Sequence, residues 1–254
     1  MNKALGKLAQ YHLLQSDPFV RQHLPETAPY TKEKLSDFTS RHPVVFVKHD
    51  TSGQGRGVYK MEKRDDCHYS LKGYTLQGKK IDHVMDMPEI HKFLQPFERF
   101  GRIWPYIIQE GIGSISVSGE PVNIRVHVQH FIDKTAAVGI YGSIAREKNG
   151  ISNTRRGAFA VPAQQLLSHY LHIEKERQQG LIAELEEVSI AAARIVKTRH
   201  PSREAGVDLG LDKHLKPFIF EVNVTPGIGG FMQSDPRVWK RIIENRKKMK
   251  DSFL

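Results

Sequence analysis

Cysteine is nearly missing from this sequence: Cys67 stands alone among 254 residues. That excludes a disulfide framework and a cysteine-type zinc site. It also fits a reducing compartment, so a cytoplasmic location is expected. The thirteen histidines are scattered, with no His-x-x-x-His pair on a helical pattern beside an acid. No apolar run is long enough to span a bilayer, and Met1-Asn2-Lys3-Ala4-Leu5-Gly6-Lys7 carries no signal-like core. Neither a transmembrane helix nor a signal peptide is expected. Internal repeats, low-complexity segments and long linkers are lacking. Acidic residues are the minority charge, 28 against 38 basic, for a net charge of +10. That sign suits nucleic acid, an anionic surface or a polyanion such as ATP. The basic residues are dispersed except from Lys240 to Lys250. There Ile242, Ile243 and Met249 alternate with them, as on an amphipathic helix with a solvated face. Aromatic and basic residues do not interleave and no recognition motif is present, so nucleic acid ranks below the other partners.

What is present alternates between helix and strand periods. Ala4, Leu8, Tyr11 and Leu14 form a helical stripe ending near Gln15, and Thr31 reads as an N-cap for a helix over Lys32 to Ser40. Leu181, Leu185, Val188, Ala192 and Ile195 mark a strong helix over Leu181 to Val196. Pro88 to Phe100 reads as a helix buried through Ile90, Phe93, Leu94 and Phe97, with Pro96 kinking it or ending it early. A last helix starts near Pro236. Val44 to Lys48, Val58 to Met61, Tyr106 to Glu110, Val122 to Phe131 and Ala136 to Ala145 read as strands. Residues 66–84 read as short strands with turns at Lys72-Gly73 and Gln77-Gly78. Over Val122 to Phe131, apolar residues alternate with Asn123, Arg125, His127 and Gln129, which predicts a half-buried strand with one polar face.

Three segments carry chemistry. Gly206 to Leu211 and Phe218 to Asn223 form a hairpin around Lys213-His214-Leu215-Lys216. A symmetric loop sets Asp208 opposite Glu221, with Asn223 a step along on the same face. Facing carboxylates repel, which points to a cation between them. Two carboxylates and an amide oxygen suit Mg²⁺, completed by water and phosphate oxygens. An ordinary hairpin with solvated acids is the alternative for this segment alone. The strand ending at Lys48 opens into Thr51-Ser52-Gly53-Gln54-Gly55-Arg56-Gly57. No Gly-Lys-Ser/Thr follows, and a strand rather than a helix comes next, so neither a P-loop nor a dinucleotide fingerprint is present. A glycine hairpin after a lysine-ended strand is another phosphate device: backbone N–H groups approach the oxygens and the lysine adds a point charge. Arg125, central on its strand, suits a phosphate clamp, with a solvated surface arginine as the alternative.

Taken in order, these pieces resemble the ATP-grasp superfamily. They comprise Lys48 with its loop, Gln109-Glu110-Gly111-Ile112, Asn123-x-Arg125, Ser152-Asn153 to Gly157, Asp208, and Glu221-x-Asn223 before Pro226-Gly227. With Leu24-Pro25-Glu26-Thr27 added, the chain is most similar to the YheC/YheD family of endospore coat-associated ATP-grasp proteins. It is more distantly similar to the ribosomal-protein glutamate ligases. The resemblance implies an α+β fold in which two subdomains with mainly antiparallel sheets clasp ATP. These would be a lid-like subdomain over about residues 45–110 and a larger metal-binding one over 111–254, after a helical segment over 1–44. It implies that Lys48 and the loop Ser52, Gly53, Gln54, Gly55 and Gly57 bind phosphates, with Lys3 or Lys7 as a further contact. The backbone of Gln109, Glu110, Gly111 and Ile112 would read adenine, and Asn123 would lie near the ribose. Asp208, Glu221 and Asn223 would hold Mg²⁺, with Mn²⁺ as a substitute. Arg125, Asn153 and Arg156 would face the γ-phosphate and an acyl phosphate.

The implied activity is an ATP-dependent ligase joining a carboxylate to an amine or thiol, most plainly an amide or peptide bond formed from amino acids or peptides. Cys67 is then a bystander. Asn123 stands where the glutamate ligases carry an acid, and Ile151 where they carry an arginine. The chain also begins almost at the ATP-grasp region, so either the acceptor site is minimal or a partner supplies it. The second reading is therefore a non-catalytic structural or binding protein on this scaffold, with a spore-coat or other protein partner and a spore-associated location.

Overall fold

A computed structural model describes residues 5–146 and 157–251. Two antiparallel sheets organise them. The first has six strands in the order β1-β6-β2-β3-β4-β5. These are β1 (Thr27–Pro29), β2 (Val44–His49), β3 (Val58–Lys63), β4 (His68–Tyr74), β5 (Lys80–Asp86) and β6 (Tyr106–Glu110). The second has five strands in the order β11-β10-β7-β8-β9. These are β7 (Val122–His130), β8 (Thr135–Ile144), β9 (Phe159–Pro162), β10 (Glu204–Leu211) and β11 (Pro217–Asn223). The helices are α1 (Lys7–Gln15), α2 (Pro18–Arg21), α3 (Lys32–Arg41), α4 (Met87–Leu94), α5 (Ala163–Gln165), α6 (Lys175–Arg199), α7 (Gly229–Ser234) and α8 (Pro236–Asp251).

Local sequence sets the helix starts. The Thr31 hydroxyl accepts from Lys34 N at 3.1 Å and opens α3. Asp86 and Glu89 form a reciprocal capping box on α4, which satisfies two backbone donors at once. Pro96 does end that helix early: α4 stops at Leu94 and a separate 3-10 turn covers Glu98–Phe100. Phe97, expected in the buried face, is 43% exposed because its helix has already ended. The turn expected at Lys72-Gly73 is strand: β4 runs through it, since Gly73 leaves room for Val58 O, 2.1 Å from where a Cβ would sit.

Each sheet buries its own core. Leu35 and Phe38 of α3 and Ile90 and Leu94 of α4 cover the six-stranded sheet through Val45, Val47, Met61 and Leu71. The long α6 lies on the five-stranded sheet, where Leu181, Leu185, Val188 and Ala192 meet Ile124, Val126, Val207 and Ile219. The segment before Val44 divides between the two. Leu14 and Val20 pack into the five-stranded core, whereas β1 pairs with β6 and α3 covers the six-stranded sheet.

The polar face of β7 is not a solvated one. Asn123 and Arg125 are half-buried, but His127 and Gln129 are fully buried beneath α7 and α8. Arg246 of α8 reaches Glu204, whose Oε2 also takes His127 Nε2 at 3.1 Å. Asn245 donates to Gln129 at 2.8 Å. The C-terminal helix therefore presents part of its polar side to the sheet, and the basic run is only partly a solvated face.

Candidate nucleotide and metal site

A cavity of about 650 Å³ opens between the two sheets, a size that accommodates a small-molecule ligand. Phe46 and Lys48 of β2, Gln109 and Glu110 of β6 and the following Gly111 and Ile112 line one side. Asn123 and Arg125 of β7, Tyr141 of β8, Asp208 of β10, and Phe220 and Glu221 of β11 line the other. Lys7 stands at the seam.

Asp208 pairs with Glu221, and Gly206 with Asn223. The loop does not achieve this by symmetry. Its closing pairs are Leu211 with Pro217 and Leu209 with Ile219, a register that would set Asp208 opposite Phe220. A β-bulge between Asp208 and Leu209 inserts one residue and brings Glu221 across instead. Burial follows the bulge. Ile219 and Val222 are buried, while consecutive Phe220 and Glu221 are both half-buried and both line the cavity, as an extra residue in one strand permits. Beside them Gly206 is required by space: a Cβ there would sit 2.7 Å from Arg125 Nη1 and 2.8 Å from the Pro226 side chain.

Asp208 is already well served. Arg125 grips it in a fork, Nε to Oδ1 and Nη2 to Oδ2, each 2.7 Å. Asn123 and Asn223 donate to the same two oxygens at 2.9 and 3.0 Å. Burial works against the Arg125 charge, but the Asp208 carboxylate outweighs it and holds the guanidinium pKa above its ordinary value. Arg125 is thus paired with an acid of its own sheet. Asn223 stands behind Asp208 and does not line the cavity.

Lys48 faces these groups from the other sheet. Its Nζ donates to the Gln109 side-chain oxygen and lies 5.5 Å from the ring centres of both Phe46 and Phe220. Burial pushes its pKa down to about 8, helped by the charge of Lys7. Of the loop residues, Gly55 lines the cavity, while Ser52, Gly53, Gln54 and Gly57 stand back from it. Ser52 instead closes the loop's base through its hydroxyl and Arg56 O. Gln54 takes a left-handed φ of 62° beside Gly55 at 70°, a conformation that costs a non-glycine residue about 1 kcal/mol or more. Lys7 was expected only as a further phosphate contact. Its Nζ donates to Ser52 O and lies 3.9 Å from Glu221 Oε1, so it bridges the loop's base to the opposite sheet. One turn on, the buried Gln10 amide pairs with both Val222 N and Val222 O, closing the edge strand β11. Asn153 and Arg156, expected at the reacting phosphate, lie outside the described residues, as does Lys3.

Sequence reasoning missed Phe46, Phe220 and Tyr141. Phe46 is two residues before Lys48 and Phe220 adjoins Glu221, so strand alternation and the bulge carry their signal. Tyr141 lies opposite Arg125, a relation that appears only once β7 and β8 are paired. Among the described residues no three His, Cys, Asp or Glu side chains cluster as a metal cage. The donor set is two acids and an amide, which suits a hard cation that keeps most of its shell as water or phosphate. Among the described residues no helix is long and apolar enough to cross a membrane.

Known proteins share this arrangement of sheets. The structure resembles the L-amino acid ligase from Bacillus licheniformis with a TM-score of 0.52 at 13% identity, over 90% of this chain and 42% of that one. It resembles the D-alanine-D-alanine ligase from Coxiella burnetii with a TM-score of 0.51 at 12% identity, over 92% of this chain and 51% of that one. In sequence it is 24% identical over 221 residues to the endospore coat-associated protein YheD of Bacillus subtilis, covering 85% of this chain and 47% of the relative. The chain thus spans about half the length of the curated relative it matches. The fold is the α+β ATP-grasp fold of ATP-dependent ligases. The YheC/D-like ATP-grasp description matches residues 1–247, and the chain belongs to that family.

Proposed function

We propose that the chain binds ATP with Mg²⁺ between its two sheets and uses it to join a carboxylate to an amine, forming a C–N bond with release of ADP and phosphate. The observation that carries this is the convergence on one cavity of an under-neutralised lysine from one sheet and an opposed pair of carboxylates from the other. A nucleoside triphosphate with its metal needs both. The six-stranded sheet acts as the lid. Lys48 and Lys7 neutralise the phosphates, the loop at Gly55 approaches them by its backbone, and the Gln109 to Ile112 segment borders the base. Asp208 and Glu221, with the Asn223 amide beside Asp208, would hold the metal, which would supply charge neutralisation at the transferred phosphoryl group; Mn²⁺ would substitute. A carboxylate oxygen of the acid attacks the γ-phosphorus and ADP leaves. The amine nitrogen then attacks the acyl carbon and phosphate leaves. Arg125 and Tyr141 border the reacting end, and the family resemblance assigns Asn153 and Arg156 to the γ-phosphate. The protein's part is positioning and charge compensation.

Calorimetric titration with a non-hydrolysable ATP analogue tests the reading, with and without Mg²⁺, on wild type and Glu221→Ala. Metal-dependent binding that the variant loses is expected, and ADP release should then follow the addition of amino acid or peptide substrates. Absence of binding by wild type would overturn the reading.

A second reading has its own support. The curated relative is described as endospore coat-associated, which favours a structural or binding protein on this scaffold, placed at a spore surface through a protein partner. Under that reading the analogue binds but no acceptor pool yields ADP.

A further inference from the structure

The segment Leu24-Pro25-Glu26-Thr27 lies away from the reacting groups, yet it meets both Gln109 and Glu110. Glu26 N donates to the Glu110 carboxylate at 3.1 Å, and Glu110 N returns to Glu26 O at 2.9 Å. Thr27 lies directly opposite Gln109 across β1 and β6, and Gln109 directly opposite Phe46 across β6 and β2. Cross-strand neighbours share a face, and Lys48, two residues beyond Phe46, is the diagonal neighbour that a long side chain reaches. The three side chains therefore form a row across the sheet.

The direction of the hydrogen bonds in this row is fixed from its far end. The Thr27 hydroxyl has one proton, and it donates that proton to Pro25 O at 3.0 Å. It can then only accept from Gln109, whose Nε2 donates to it at 3.0 Å. With the amide nitrogen turned to Thr27, the amide oxygen must face Lys48, and Lys48 Nζ donates to it. Thr27 and Gln109 are buried, 8% and 6% exposed, so water does not scramble the order. A reversed amide would set an N–H₂ group against an ammonium.

We infer that Thr27 and Gln109 are positioning residues for Lys48, a relay that aims the ammonium at bound phosphate and keeps it charged. The inference rests on the reading of Lys48 as a phosphate ligand. Burial alone depresses the Lys48 pKa, and Lys7 of α1 adds to this, while Glu221 of β11 and Asp208 of β10 oppose it. An oriented amide oxygen stabilises the charged form against that pressure.

The test measures two quantities on wild type, Thr27→Val, Thr27→Ser and Gln109→Glu. The first is the Lys48 titration in nucleotide-free protein labelled with ¹³C at lysine Cε, with the signal assigned through Lys48→Met. The second is the affinity for a non-hydrolysable ATP analogue across pH. Thr27→Val keeps the shape of the side chain but removes the hydroxyl. It should free the Gln109 amide from its orientation, lower the Lys48 midpoint by about one pH unit, and weaken the analogue about fivefold near pH 8, the drop in charged fraction that such a shift from about 8 gives. Thr27→Ser should restore both values, and Gln109→Glu should move the Lys48 midpoint upward. A role confined to strand packing would move neither midpoint. A Thr27→Val titration identical to wild type would overturn the relay even if wild type binds the analogue. A shifted titration with no analogue binding by any variant would uphold the relay and overturn only the nucleotide reading.

Discussion

The two sheets bring one cation each to the same cavity and treat it in opposite ways. Arg125, on the five-stranded sheet, is gripped by Asp208, and its pKa is held above the ordinary value. Lys48, on the six-stranded sheet, has a neutral amide and two aromatic rings for company, and its pKa falls to about 8. The five-stranded sheet repeats its habit further along the same face. There burial raises the Glu204 pKa, but His127 and Arg246 more than offset it and hold the acid at about 2. One face is internally compensated and can stand without a ligand. The other carries an ammonium whose hydrogen bond goes to a neutral amide, with the acids of the opposite wall acting only from a distance. A cleft built this way attracts polyanions from one wall and holds its acids in place on the other.

The largest effect that tests this contrast lies on the compensated side. Glu204→Ala removes the acid that joins β10 to His127 and to Arg246 of α8. Unpairing the partly exposed Arg246 and stripping the fully buried His127 of its acceptor together cost about 3 kcal/mol, and a loss of that size is expected in chemical denaturation. Acid should reproduce it. The folded pKa of Glu204 lies below its unfolded value, so its contribution is complete above about pH 4.5 and disappears as pH falls towards about 2. Lys48→Met should behave in the opposite manner. Stability should hold or rise, because an under-neutralised cation is removed, while affinity for an ATP analogue falls by about a hundredfold, the weight of a lost charged contact. The difference in stability between wild type and Lys48→Met should narrow as pH rises above about 8. The folded state prefers neutral Lys48, so wild type gains stability there that the variant cannot. Equal pH profiles for the two proteins would remove the contrast.

Much of the contrast is visible in the sequence. Strand period alone placed Lys48 at the end of β2 and set Arg125 among the polar positions of β7. What sequence could not supply is what lies across from each group. The hairpin loop predicts the pairing of Asp208 with Glu221 only if it is symmetric, and the bulge at Phe220 that produces the pairing has no Gly or Pro to announce it. Asn123 and Asn223, read as ribose and metal contacts, both donate to Asp208 once the strands are paired, a partnership that no local pattern announces. His127 and Gln129 read as a solvated face because the helix that covers them lies more than a hundred residues away in the chain. Local patterns fix elements, whereas partners across strands and under helices depend on tertiary pairing. The assignments of Asn153 and Arg156 stand as the sequence left them.

The smallest expected effect is the most specific to the compensated wall. An ionised carboxylate offers about four acceptor positions, and at Asp208 all of them are used, two by Arg125 and one each by Asn123 and Asn223. A divalent ion arriving alone must displace the guanidinium, whereas triphosphate arriving first gives Arg125 another anion to pair with. Mn²⁺ without nucleotide should therefore bind wild type weakly, and Arg125→Ala should bind it about tenfold more tightly, the gain of about 1.4 kcal/mol left after the freed carboxylate loses its partner. Electron paramagnetic resonance of free Mn²⁺ reads this directly. Because Arg125→Ala leaves Asp208 under-neutralised, the variant should also melt at a lower temperature than wild type and recover part of the difference on adding Mn²⁺. If both proteins hold nucleotide-free Mn²⁺ equally, Arg125 does not stand in for the metal, and the two walls of the cleft differ in burial but not in how they are readied for their ligands.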